Sequence, residues 1–158
     1  MTRFAADTNV SGESSRAEIE RTLMRYGATG FVYGWQDTEH VVMFTMRDRR
    51  VRFMLAMPDP KDRQYTHTPS RNTQRNAAQA LAAWEQATRQ RWRALNLVIK
   101  AKLEAVESGI TEFEDEFLSH IVLPDGSTVG DFMLPQIAKA YSNGTMPSVL
   151  PALGPGGG

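Results

Sequence analysis

The chain offers three histidines, one acidic run and a strongly basic middle section as residues able to do chemistry. It has no cysteine, which excludes disulfides, thiolate metal sites and thiol nucleophiles together. His40, His67 and His120 stand alone, without metal-ligand spacing, and each reads as a structural or solvated side chain. Gly30 and Gly34 fall in a strand pattern with no phosphate-loop spacing and no lysine. There is no Gly-x-Ser-x-Gly elbow. Glu112 and Glu116 lie four apart on one helical face, the one spacing able to hold magnesium for phosphoryl chemistry. No other carboxylates obviously converge with them, and acids in a first helical turn also stabilise its dipole. The second reading is taken. No catalytic residue, metal or cofactor is expected, and the protein is expected not to be an enzyme.

The basic residues carry more information. Of 158 residues, 18 are basic and 18 acidic, so the net charge is zero. They are not evenly mixed. Residues 47–103 hold 13 basic and 4 acidic side chains, whereas residues 104–158 hold only Lys139 against 8 acids. Arg47, Arg49, Arg50 and Arg52 cluster on a hairpin, with Arg50 and Arg52 on the face opposite Val51, Phe53 and Leu55. Arg89, Arg93, Asn96 and Lys100 fall at i, i+4, i+7 and i+11, one stripe of a helix. Arg75 lies near that stripe, and Arg91 and Lys102 flank the helix's apolar seam. Arginine forks to phosphate and stacks on bases, and such surfaces bind polyanions by counterion release. The competing reading is a solvated basic face, or pairing with the acidic segment 104–116.

These side chains need elements to place them. Ser15 and Glu18 fit a capping box, Ile19, Leu23 and Tyr26 follow at helical spacing, and Gly27 suits a C-cap, predicting a helix over 16–26. Residues 30–35, 40–46 and 50–57 read as three strands of an antiparallel meander, the last with strict alternation. Residues 58–73 make a long basic loop carrying Lys61, Arg63, His67 and Arg71. From Gln74 to Ser108 there is no proline or glycine. Leu81, Trp84, Thr88, Trp92, Leu95, Ile99, Leu103 and Val106 form one apolar stripe, predicting a single long helix. Trp84 and Trp92 are expected in the core, facing Val51, Phe53 and Leu55. Thr111 and Glu114 fit a second capping box for a short acidic helix. A last helix is expected over Val129–Tyr141, kinked or restarted at Pro135 and closed by Asn143-Gly144. The fold class is therefore α+β: an N-terminal helix, a three-stranded antiparallel meander, one long helix packed on the sheet and two shorter C-terminal helices. Residues 1–14 are expected as a flexible arm, 15–144 as one domain and 145–158 as a flexible Pro/Gly tail. No apolar run reaches the ~20 residues of a membrane helix, and residues 1–10 show no signal segment. A cytoplasmic location is expected, the host's if the chain is phage-encoded.

In element order, and in Leu23-Met24-Arg25-Tyr26-Gly27 before the first strand, residues 15–108 resemble the single-strand annealing proteins of phages and of eukaryotic recombination. The cysteine-free chain with its Gly/Pro tail is also similar in character to bacteriophage and prophage proteins. The resemblance implies a non-enzymatic protein that binds single-stranded DNA, an annealing or recombination accessory factor. Its phosphate contacts would come from Arg47, Arg49, Arg50, Arg52, Arg89, Arg93 and Lys100. A homo-oligomer is the accompanying expectation, with the acidic end of one subunit meeting the basic middle of the next. The alternative is a protein-interaction module, such as a virion-assembly or host-factor-binding protein, in which the long helix docks on a partner.

Overall fold

In the computed structural model, which describes residues 3–146, helix α1 spans Arg3–Arg25. It begins well before residue 16, so most of the segment expected as an arm is helical. Ser15 sits inside α1 and caps nothing at its start. The cause is tertiary: Gly12 lies against Trp92 of the long helix, where an added Cβ would stand 2.6 Å from the indole Nε1. Glycine is poor in a helix interior on propensity alone, yet here it allows two helices to approach. The expected tail lies outside the described residues from position 147 onward.

Three strands follow, β1 (Gly30–Gln36), β2 (Glu39–Met46) and β3 (Arg49–Ala56), in the order β1-β2-β3 and antiparallel throughout. Met46 pairs with Arg49 across a two-residue turn. Arg47 and Asp48 both hold positive φ there, 50° and 61°, the type I′ geometry that matches strand twist and favours glycine or asparagine. Alternation sends Val42, Phe44 and Met46 of β2 and Val51, Phe53 and Leu55 of β3 into the core. The opposite face of the sheet carries Val32, Val41, Met43 and Met54, with Val32 55% and Met54 56% exposed.

After β3, residues 58–76 contain the single-turn α2 (Arg63–Thr66), which Asp62 caps by accepting from the Gln64 backbone N–H. Backbone bonds from Thr68 to Thr73 and from Arg75 to Thr66 fold the rest of this loop back on itself. Helix α3 (Ala77–Glu107) is the single long helix expected from the apolar stripe. It opens with a capping box made by Asn76 and Gln79. Its stripe buries Trp84, Thr88, Trp92, Leu95, Ile99 and Leu103, and α1 packs beside it through Ile19 and Leu23. The ring neighbours of Trp92 are Tyr33 and His40, on β1 and β2. Phe53 of β3 instead stacks on His120 and meets Phe117 edge-on. Trp84 donates its indole N–H to the Pro58 carbonyl at 2.7 Å.

The C-terminal part is less regular. Helix α4 (Phe113–Glu116) is one turn long, with Glu112 at its N-cap position and no side-chain cap. The box expected from Thr111 and Glu114 does not form, because the Thr111 hydroxyl donates to the Glu112 carbonyl. Phe113 and Phe117 are buried as expected. A 310 turn (Leu118–His120) leads to Ile121, which bridges Val51 at the edge of β3. Helix α5 (Val129–Asn143) runs through Pro135 as one element. Thr128 and Asp131 form its capping box, and Gly144 closes it in a left-handed conformation. The fold is the α+β arrangement read from the sequence.

Candidate nucleic-acid interface

The type I′ turn fixes where the hairpin cations project, and the acidic C-terminal segment meets most of them. Arg47 places its guanidinium 5.7 Å from the Phe113 ring centroid and shares a depression with Glu112, Glu114 and Asp115. Arg49 pairs with Glu114 at 3.1 Å. Arg52 donates to the Gly126 carbonyl at 2.8 Å and lies 3.5 Å from Asp131. Asp131 is held below the usual carboxylate range, first by the Thr128 backbone N–H and hydroxyl and then by Arg52. Arg50 is exposed.

The helical stripe behaves differently along its length. Lys100 pairs with Glu18 of α1 at 2.8 Å, and this contact, helped by Asn96, holds Glu18 below its ordinary value. Asn96 itself is buried, so it is no part of a solvent-facing row. Lys102 pairs with Glu116 at 3.2 Å and also donates to its carbonyl. Arg89 only approaches Glu85, at 4.0 Å, and Arg93 is exposed.

The hairpin cations and the helical stripe, both expected as phosphate contacts, therefore do not form one surface. Arg50 and Arg52 project from the sheet face opposite the core, whereas α3 packs on the core face. The two sets lie on different layers of the molecule, and Arg49, Arg52 and Lys100 are matched by carboxylates of the same chain. Blocks of charge in a sequence carry no register, so intramolecular pairing could not be told from a binding face there. Glu116 is likewise taken up by Lys102, and no group of three or more metal-capable side chains occurs among the described residues.

Charge does remain uncancelled at the other end, where the 58–76 loop meets the first half of α3. Segment 58–93 holds seven basic residues against three acidic ones. Arg91 forks onto the Ala56 carbonyl, at 3.2 and 3.0 Å. Arg75 donates to the Tyr65 carbonyl at 3.1 Å, and Arg63 to the Asn72 side-chain oxygen at 3.2 Å. Neutral acceptors orient these guanidinium groups without removing their charge. Asp59 and Asp62 accept backbone N–H groups in the turn before α2. Burial holds the Tyr65 phenol above its ordinary value, with Asp62 acting the same way and Arg91 against it, which places Arg91 beside this loop. Arg63 and Arg71 were readable in the sequence as a basic loop. That Arg75 and Arg91 would be anchored on carbonyls was not, because hydrogen bonds to backbone leave no residue signature.

Of the two readings open for His40, structural or solvated, the structure shows the first: it is 1% exposed in the core. His120 stacks on Phe53, and His67 pairs its Nδ1 with the Thr66 hydroxyl. Comparison with family models, with curated proteins and with solved structures finds no match to this chain. Among the described residues no helix is long and apolar enough to cross a membrane.

Proposed function

We propose that the protein is a non-enzymatic nucleic-acid-binding protein that contacts the phosphates of single-stranded DNA through the 58–76 loop and the first half of α3. The observation that carries this reading is the orientation of Arg63, Arg75 and Arg91 by neutral acceptors, beside exposed Arg71, Arg89 and Arg93. The positive end of the α3 dipole adds to the same region. The binding face thus moves from the hairpin toward the loop: Arg89 and Arg93 are kept, and Arg47, Arg49, Arg50, Arg52 and Lys100 are set aside. Contacts of this kind follow the backbone and read little sequence.

The test is titration of a labelled single-stranded oligonucleotide at several salt concentrations. About six neutralised phosphates, one for each arginine of this set, give a slope of log K against log salt of about −4 for a single strand. The double substitution Arg71→Ala/Arg93→Ala removes two exposed cations with no structural hydrogen bond and should flatten the slope by about 1.4. Arg49→Ala should leave it unchanged. Absence of binding at low salt, or binding without a salt slope, defeats the reading.

A second reading, a protein-interaction module, is favoured by α5. None of its fifteen residues is buried, and Leu134, Ile137 and Tyr141 line one side of it at i, i+3 and i+7. Leu134 is 64% and Tyr141 87% exposed. Phosphate binding does not call for such a stripe.

A further inference from the structure

Apart from His67, Tyr65 is the only aromatic side chain of the 58–76 loop, and its backbone is tied down at both polar groups. Its N–H donates to the Asp62 carbonyl at 2.9 Å, and its carbonyl accepts from the Arg75 guanidinium at 3.1 Å. The Arg75 backbone N–H in turn donates to the Thr66 carbonyl at 2.7 Å, and His67 bridges Gln74. The loop thus holds Tyr65 in one place, where α2 packs against α3.

The core does not account for this side chain. Tyr26 and Tyr33 pack against the buried cluster and engage their hydroxyls, with Glu104 at 3.0 Å and with His40 at 2.7 Å. A tyrosine in a fold ordinarily does both. Among the described residues Tyr65 does neither: it lies outside that cluster, its hydroxyl has no hydrogen-bond partner and its ring no aromatic neighbour. It is partly exposed. The charges that act on its phenol are Asp62 and Arg91. The Asp62 carboxylate is turned to the Gln64 backbone N–H, and Arg91 is forked on the neutral Ala56 carbonyl.

We propose that the Tyr65 ring is a stacking platform for one unpaired base of the bound strand, and so the residue that selects a single strand over a duplex. The proposal rests on the phosphate surface proposed above and adds what that surface lacks. Guanidinium groups take any polyanion by its charge, duplex or single strand. A ring face meets a base only where that base is unstacked and unpaired, and it does so for every base, since each has a π-face. Arg91 beside the phenol and Arg63 two residues before the ring supply cations for the phosphates flanking the stacked nucleotide. The fixed backbone lowers the ordering cost of the contact.

The test compares binding of the full chain to a single-stranded thymidine oligonucleotide and to its abasic counterpart, which has the same phosphates and no bases. The native chain should bind the base-bearing strand about tenfold more tightly at equal salt, as one stacked base requires, with the same salt slope on both. Tyr65→Leu keeps an apolar side chain and loses the π-face. It should bind both strands equally, at the native chain's affinity for the abasic one, whereas Tyr65→Phe should keep the preference. A duplex of equal length should not distinguish Tyr65→Leu from the native chain; a loss there as large as on the single strand would show a structural role and overturn the platform. Equal native affinity for the two single strands also overturns it, and that comparison needs no variant to fold. A preference that survives in Tyr65→Leu overturns Tyr65 as its seat. In these last two cases a steep salt slope remains and the phosphate surface stands, whereas absence of any binding at low salt overturns both.

Discussion

His40 provides a quantitative test of the core. It is 1% exposed, its Nδ1 is 2.7 Å from the Tyr33 hydroxyl, and its Nε2 has no partner. Trp92 meets it edge-on and Trp35 stacks on it. Burial lowers its pKa to about 4, and the nearby Arg16 guanidinium acts in the same direction. In the unfolded chain the imidazole titrates near its ordinary value of ~6.5. Between these values the unfolded state binds one proton that the folded state refuses, so stability is full above about pH 6.5 and falls as the pH drops toward 4. At ~1.36 kcal/mol per pH unit the whole window is worth about 3 kcal/mol, and the step from pH 7 to pH 5 about 2 kcal/mol. His120, also lowered by burial and then by Lys102, adds loss of the same sign. Glu18, Asp125 and Asp131 are held low by their hydrogen-bond and charge partners. Their contribution is kept through this window and lost only as the pH falls below the ordinary carboxylate range. Urea unfolding followed by tryptophan fluorescence at pH 7, 6 and 5 separates the two. His40→Gln should be less stable at pH 7 but should lose about 2 kcal/mol less than the native chain on going to pH 5. If His40→Gln and the native chain lose stability equally over that step, the imidazole is not held neutral by the core and the reasoning fails.

Two further changes test the backbone. Gly12→Ala forces a methyl onto the Trp92 indole, so the α1–α3 contact must open; a loss of about 1–3 kcal/mol is expected in urea unfolding, and an unchanged midpoint would mean that α1 does not lie on Trp92. Asp48→Gly relieves a positive φ of 61° in the type I′ turn and should add about 0.5–1 kcal/mol; a clear loss of stability would mean that the aspartate side chain has a role of its own.

The readable parts of this fold were those written as periodicity. Strict alternation at Val51, Phe53 and Leu55 and the unbroken stripe from Trp84 to Leu103 each had one physical solution, and both elements lie where the spacing places them. Helix starts were less legible. Ser15 and Thr111 have the right residue types for capping boxes, but one sits inside a helix that contacts with Trp92 extend backward, and the other donates to a carbonyl. The boxes that form, at Asn76 and Thr128, have the same chemistry. A cap pattern is local, and which of several candidates is used depends on packing it does not encode. Asn96 shows the same limit. By spacing it belongs with Arg93 and Lys100, but α1 covers it, and the stripe is interrupted.

The division of charge follows one logic. Exposed ion pairs are worth ~0–1 kcal/mol each, so Arg49 with Glu114 and Arg52 with Asp131 add little to stability. Their effect is positional. The segment from Glu112 to Asp131 is anchored by buried Phe113, Phe117 and Ile121 and by the Val122 N–H on the Arg50 carbonyl, and the hairpin arginines fix its outer side against β3. Arg52 does this twice, once at the Gly126 carbonyl and once at Asp131, and so sets the point from which α5 leaves the sheet. The acids of the C-terminal segment thus answer the cations of the hairpin, and each hairpin cation engaged this way is withdrawn from any polyanion. The loop and the start of α3 have fewer acids, Asp59, Asp62 and Glu85 against seven cations, and of these Glu85 reaches Arg89 only at 4.0 Å. A neutral chain therefore keeps a cationic end, and the same pairing that spends the hairpin's charge leaves the α5 stripe facing outward.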